Sequence, residues 1–143
     1  MKLNMKFLMV FLPVLVLLVG LSGCLPARKA GLTDQQVASV TENILRALDQ
    51  KNYPAFIHDF SPQMKSAFTR ERFSLLQTML YTSSGDFLYM DEPGISNKQG
   101  YAVYRFPCKY ADESVTVTIT FMIGGQEVEG LNFDSANLRK VSQ

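Results

Sequence analysis

Tryptophan is absent from this 143-residue chain, histidine occurs once and cysteine twice. With His58 as the one histidine, a Ser-His-Asp unit has a single residue on which to be built, and no G-x-S-x-G elbow is present. One histidine with Cys24 and Cys108 is also a poor ligand supply for a dedicated zinc or transition-metal site. Glycine-rich phosphate loops are missing. Neither sign of charge is in surplus, since 14 Lys and Arg stand against 13 Asp and Glu. Nucleic-acid binding needs a basic patch, so this balance argues against such a partner. The longest unbroken apolar run, Phe7 to Val19, has 13 residues, short of the roughly 20 that a spanning helix requires.

That short run is nevertheless informative. Lys2 and Lys6 precede it and small residues follow, which are the parts of a secretory signal peptide. The next residues, Leu21-Ser22-Gly23-Cys24, resemble the lipobox of bacterial and archaeal lipoproteins. The resemblance implies that the Cys24 sulfur receives a diacylglyceryl group and that cleavage leaves Cys24 as the first residue. Residues 1–23 are then a leader, 24–31 the lipidated cysteine and a tether, and 32–143 the folded domain. Two or more acyl chains hold a protein on a bilayer stably where one does not, at roughly 0.8 kcal/mol per buried methylene. Leu25 to Gly31, fully extended, reach roughly 25 Å at about 3.5 Å per residue. The expected address is the extracytoplasmic face of a cell membrane.

Loss of the leader removes Lys2 and Lys6 and leaves 120 residues, with 12 basic and 13 acidic side chains. One domain is expected at this length, burying roughly two-thirds of its unfolded surface. With Cys24 committed to lipid, Cys108 has no partner within the chain, so the core carries stability without a disulfide.

Residues 32–82 read as helices and 86–138 as sheet. Thr33 with Gln36 forms a capping box, with Leu32 and Val37 at the staple positions. Val37, Val40, Ile44, Leu45 and Leu48 make one stripe at helical spacing, and Glu42 pairs with Arg46 at i,i+4. A short helix at about Pro54 to Phe60 follows. Ser61-Pro62 restarts the chain as N-cap and N1, with Met64, Ala67 and Phe68 inward. Thr69 caps a fourth helix in which Phe73, Leu75, Leu76, Met79 and Leu80 form a broad apolar face, stopped by Ser83-Ser84-Gly85-Asp86. The period then changes from 3.6 to 2. Phe87 to Met90 is a short strand. Tyr101 to Tyr110 reads as a strand covered on both sides. Val115, Val117, Ile119, Phe121 and Ile123 alternate with Thr116, Thr118, Thr120 and Met122. Gly124-Gly125 stands where a two-residue hairpin turn belongs. In the last strand Gly130 can absorb, as a bulge, the odd spacing between Val128 and Leu131.

Helices followed by a curved antiparallel meander is an α+β pattern. Lys51-Asn52-Tyr53, Phe60-Ser61-Pro62-Gln63-Met64-Lys65, Phe73 and Gly85-Asp86-Phe87 carry a further likeness. They resemble a small bacterial and archaeal family of unknown function within the nuclear transport factor 2-like, cystatin-like superfamily, over about residues 32–138. The resemblance implies a curved sheet wrapped round helices into a cone, often with an apolar pocket. No cofactor is expected.

Candidate sites are few. Tyr81, Tyr89, Tyr101, Tyr104, Phe106 and Phe121 either line a pocket for an apolar ligand or fill the cone as core. His58, beside Asp59, points away from Phe56, Ile57 and Phe60 and should face solvent. Cys108, near Arg105 and Lys109, is either a reactive thiol in basic surroundings, a cysteine paired between chains, or, as the favoured reading, a small buried hydrophobe. In ketosteroid isomerase, of the same broad superfamily, a carboxylate works beside a tyrosine in an apolar pocket. Asp91, Glu127, Glu129 and Asp134 are the carboxylates at strand ends or edges, with Tyr89, Tyr101 and Tyr104 as donors. The expected function is a membrane-anchored, non-catalytic module binding an apolar ligand, an envelope protein or a twin subunit through its sheet. A small isomerase or cyclase is the alternative.

Overall fold

The computed structural model describes residues 26–141; the leader, Cys24 and Leu25 lie outside the described residues. Helix α1 (Asp34–Asp49) opens on the expected capping box, with both reciprocal bonds between Thr33 and Gln36 in place. Val37, Thr41, Ile44, Leu45 and Leu48 are its buried stripe. It ends at Lys51, whose φ of 56° turns the chain in the left-handed region. α2 (Tyr53–Phe56) is one turn, capped by Asn52. Ser61 and Thr69 cap α3 (Pro62–Ala67) and α4 (Arg70–Ser84) as expected. Gly85 closes α4 at a φ of 77°.

The five strands are β1 (Phe87–Met90), β2 (Gly94–Lys98), β3 (Tyr101–Tyr110), β4 (Ser114–Met122) and β5 (Val128–Asp134), all antiparallel. β1 and β2 lie end to end along one edge of β3, β4 lies along the other, and β5 is outermost. The sheet is open, so the architecture is α+β, with the helices on the face that carries the core. Alternation decides that face. Ala102, Tyr104, Phe106, Cys108 and Tyr110 of β3, with Val115, Val117, Ile119 and Phe121 of β4, are buried. They meet Phe56, Phe60, Phe73 and the α1 stripe in one cluster. Phe56 is the hinge of an aromatic group, with ring centroids 5.0, 5.3 and 5.0 Å from Phe60, Phe68 and Phe73.

The expected bulge in β5 is present. Phe121 pairs with Val128 and Thr120 with Gly130, so Glu129 is the extra residue. Val128 and Leu131 therefore both oppose inward residues, Phe121 and Ile119. The outer edge is covered in part by chain: Ser61 N–H donates to the Val128 carbonyl at 3.0 Å and Val128 N–H to Asp59 at 2.8 Å. Bonding there blunts an edge that would otherwise offer free backbone groups.

Six local expectations are corrected. β3 is not covered evenly on both sides: on its other face Tyr101, Arg105 and Pro107 are exposed and only Val103 is buried. Leu75 and Met79 of α4 are exposed by 72% and 36%, because α4 touches the core along the narrower Phe73–Leu80 line. Ala67 is likewise exposed. β2 occupies part of what reads as loop after Pro93; its turn, Gln99-Gly100, has φ of 50° and 87°, a positive pair suited to a two-residue hairpin. Residues 136–141 form a helix, α5 (Ala136–Val141), capped by Ser135 and seated by buried Leu138. Gly124-Gly125 lies within a five-residue connection between β4 and β5 and bonds to another segment.

That segment is Arg28 to Gly31. Gly31 N–H donates to the Gly125 carbonyl at 2.7 Å, and Gly124 N–H to the Lys29 carbonyl at 3.1 Å. Ala30, buried, donates its N–H to the Tyr104 hydroxyl at 3.1 Å. The Asn97 side chain pairs with both backbone groups of Arg28, each at 2.6 Å. A Cβ at Gly31 would collide with the Gly124 carbonyl, which is why glycine stands there. Hydrogen bonding to the domain thus begins at Arg28.

Candidate functional site

The groove between the end of α1 and the flank of α4 is where titratable and aromatic groups gather. Leu48, Asp49, Gln77, Leu80, Tyr81 and Tyr110 enclose a void of about 10 Å³. Asp49, Gln77 and Tyr81 continue, with Lys51 and Asp86, into a cleft of about 200 Å³. Lys51 and Gln77 are shared with a third hollow of about 250 Å³, which includes Tyr53, Arg70 and Phe73. Arg70 lies over the Tyr53 ring, 4.7 Å from its centroid. Partial burial pushes the Asp49 carboxyl above the ordinary aspartate range, against the bond it accepts from Phe87 N–H at 3.2 Å. Neighbouring Asp86 pushes the same way and Arg46 opposes it.

This pairing of a raised carboxylate with two tyrosines has the right ingredients for proton transfer, but its space is limited. The void beside Tyr110 is at the lower limit for one water. Tyr110 is buried in the core, and its hydroxyl is pushed well above the ordinary tyrosine value, chiefly by burial. The outer hollows are smaller than the roughly 300 Å³ at which ligand pockets begin. A larger hollow, about 310 Å³, lies on the other side of α1, between Asn43, Arg46, Gln50, His58 and Asp59. Its lining is polar apart from Ala47 and Ala55. His58 contacts Asp59 through Nδ1 at 2.8 Å with its side chain 78% exposed, which matches the expected solvent-facing position.

The six candidate pocket aromatics divide into two sets. Tyr104, Phe106 and Phe121 are core, with Tyr104 edge-on to Phe121 at 5.9 Å. Tyr81, Tyr89 and Tyr101 are exposed. The strand-end carboxylates are also dispersed. Asp91 and Glu127 are exposed, Glu129 accepts from the Ser61 hydroxyl at 3.0 Å, and Asp134 pairs with Arg139 at 2.6 Å. Cys108 is in the core and burial pushes its thiol up to about 12, leaving no thiolate at neutral pH to act as nucleophile or ligand. Among the described residues no group of three or more His, Cys, Asp or Glu could hold a metal ion.

One charged centre has no counterpart in the sequence reading. Glu113, in the turn between β3 and β4, accepts the Ser84 and Ser135 hydroxyls, each at 2.6 Å, and the Asn137 N–H at 3.2 Å. Asn137 in turn donates to the Ser83 carbonyl at 3.0 Å. Burial pushes the Glu113 carboxyl up, but the bonds from Ser135, Ser84 and Asn137, with Lys140 nearby, outweigh it and hold it below the ordinary glutamate range. This carboxylate joins the end of α4 to the start of α5, so its partners make it a structural clamp. Asp49, at a helix end, is the second residue the sequence does not single out. A carboxylate within two residues of a helix end is the only signal that marks it.

No helix among the described residues is long and apolar enough to cross a membrane. No curated protein matches the chain. Residues 41–131, from the middle of α1 to the β5 bulge, match the family described as protein of unknown function, DUF3887. On that match, which covers more than half of its length, the chain belongs to the DUF3887 family.

Proposed function

We propose that the chain is a lipoprotein held by Cys24 on the extracytoplasmic face of a membrane, whose domain acts by binding rather than by catalysis. The leader pattern of Lys2, Lys6, the 13-residue apolar run and Leu21-Ser22-Gly23-Cys24 supports the anchor. The order of helices and open antiparallel sheet supports placing the domain in the nuclear transport factor 2-like superfamily.

One observation carries the binding reading. Apart from Asp49, the perturbed groups near the core are occupied or sealed: Glu113 accepts from three donors, and Cys108 and Tyr110 are in the core. By contrast, Leu75, Tyr81, Leu88 and Tyr89 are each more than half exposed along α4 and β1. A contiguous exposed apolar patch marks an interaction surface, and these four side chains are the candidates for one. The partner class is an envelope protein, a second copy of the chain or an apolar ligand. Native mass spectrometry of the full lipidated protein, released gently from cells, tests this. A bound protein or small molecule is expected, whereas turnover of a co-purified compound would contradict the reading.

The alternative, a small isomerase or cyclase, is favoured by Asp49 alone, whose raised carboxyl shares a void with Tyr81 and Tyr110. Asp49→Asn distinguishes the two. The binding reading expects a cell carrying it to behave as wild type, and a phenotype equal to deletion would support the enzyme.

A further inference from the structure

The docked tether has a geometric consequence. Four chain steps run from Cys24 to Arg28, where the chain is gripped by Asn97. Fully extended, they span at most about 14 Å. Gly124-Gly125 and Tyr104 grip the next three residues, so the chain leaves the domain at one end of the sheet. That end carries the Gln99-Gly100 turn, with Gln99, Gly100 and Gly124 exposed.

The same end has an unusual surface. Lys98 pairs across the strands with Tyr101, and Tyr101 with Met122, which places the three in one row. Tyr101 and Met122 lie on the face away from the core. Tyr101 is exposed by 39% and Met122 by 54%, and Lys98 is exposed. Arg28 adds a second exposed cation, while Lys29 is paired with Asp34 at 2.5 Å. A tyrosine and an apolar side chain flanked by basic residues is the composition of groups that sit at a membrane–water interface. Farther along that face Thr116, Thr118 and Thr120 follow on β4, and exposed Tyr89, paired with Lys109, stands near the far end, so the point where the chain leaves the domain, not apolar composition alone, selects the Gln99-Gly100 end.

We propose that the Gln99-Gly100 end of the sheet, with Lys98, Tyr101 and Met122 in one row, rests on the phospholipid surface that holds Cys24. This rests on the lipid-anchor reading above. The opposite end, at the β3–β4 turn, points away from the membrane and presents Asp112. The ten residues of β3, at about 3.3 Å each, put roughly 30 Å between the two ends.

The test uses the full lipidated chain in vesicles of phosphatidylcholine and phosphatidylglycerol containing a headgroup-labelled quenching lipid. A fluorophore is placed at Gln99→Cys in one sample and Asp112→Cys in another, with the lipid on Cys24 verified by mass in both. Several-fold stronger quenching at position 99 is expected. Equal or reversed quenching on lipidated protein overturns the orientation alone, whereas a Cys24 without lipid overturns the anchor reading and the orientation with it. Lys98→Glu combined with Met122→Ser should at least halve the quenching at position 99 while the lipid keeps the protein on the vesicle. Unchanged quenching in that variant would show that the surface makes no contact of its own and overturn the proposal.

Discussion

Replacing Glu113 with alanine should loosen one end of the domain by an amount that can be worked from its bonds. The carboxylate accepts two hydroxyls at 2.6 Å and one backbone N–H at 3.2 Å. A hydrogen bond to a charged group contributes roughly 1.5–3 kcal/mol net, and a buried hydroxyl left without a partner costs about 1–3 kcal/mol. Ser84 is fully buried and Ser135 nearly so, so both lose a partner that water replaces poorly. The bonds act as a unit and do not add, and deleting the carboxylate relieves the desolvation that folding imposes on it. A loss of about 3 kcal/mol is the expected outcome, or a fall of roughly 10 °C in Tm for a domain of this size. Urea unfolding followed by circular dichroism measures it, and hydrogen exchange should show α5 opening first. Glu113→Gln, which keeps the shape and one acceptor, should cost less. The pH dependence has a definite sign. Because the folded carboxyl lies below its ordinary value, its stabilisation is full above the unfolded value of about 4.3 and disappears as pH falls through the folded one. The difference between wild type and Glu113→Gln should therefore be flat near neutrality and shrink below about pH 4. A loss under about 1 kcal/mol for the alanine variant, or a difference that grows in acid, would refute the clamp.

Other perturbations test other parts of the account. Gly31→Ala sets a Cβ against the Gly124 carbonyl and should release residues 28–31, so that trypsin cuts after Arg28 and Lys29 much faster than in wild type. An unchanged cleavage rate would mean the clasp is not formed in solution. Phe56→Ala removes the ring shared by Phe60, Phe68 and Phe73 and should cost about 3–5 kcal/mol, read from denaturant midpoints. Cys108, with its thiol pushed up to about 12 by burial, should resist alkylation at pH 8 until the protein unfolds; rapid labelling of the native state would contradict the core placement.

The sequence announces elements whose signals are local. Thr33 with Gln36, Ser61 and Thr69 each name a helix start by side-chain chemistry alone, and all three caps form. β4 is legible because nine residues of alternation leave one register in which the apolar set is buried, whereas the aromatics on both faces of β3 mark it as a strand without telling which face is covered. The odd spacing of Val128 and Leu131 around Gly130 reveals a bulge for the same reason. Elements held by distant partners are not legible. β2 contains one large apolar residue, Ile95, and owes its form to pairing with β3. α5 has six residues, too few for periodicity, and depends on Glu113 and Leu138. The docking of Ala30 depends on the Tyr104 hydroxyl, 74 positions away, and nothing within Arg28-Lys29-Ala30-Gly31 signals it. Asp49 and Glu113 escape notice because an acid at a helix end or in a turn usually faces water. The exposure of Leu75 and Met79 depends on how far α4 is covered, which its own sequence does not encode.

The central claim is that lipid on Cys24 holds the protein to a membrane, and labelled fatty acid tests it most directly. Cells expressing the wild-type chain should incorporate the label into this protein, and cells expressing Cys24→Ala should incorporate none. Equal labelling of the two chains, or no labelling of the wild type, would contradict the anchor and the orientation built upon it.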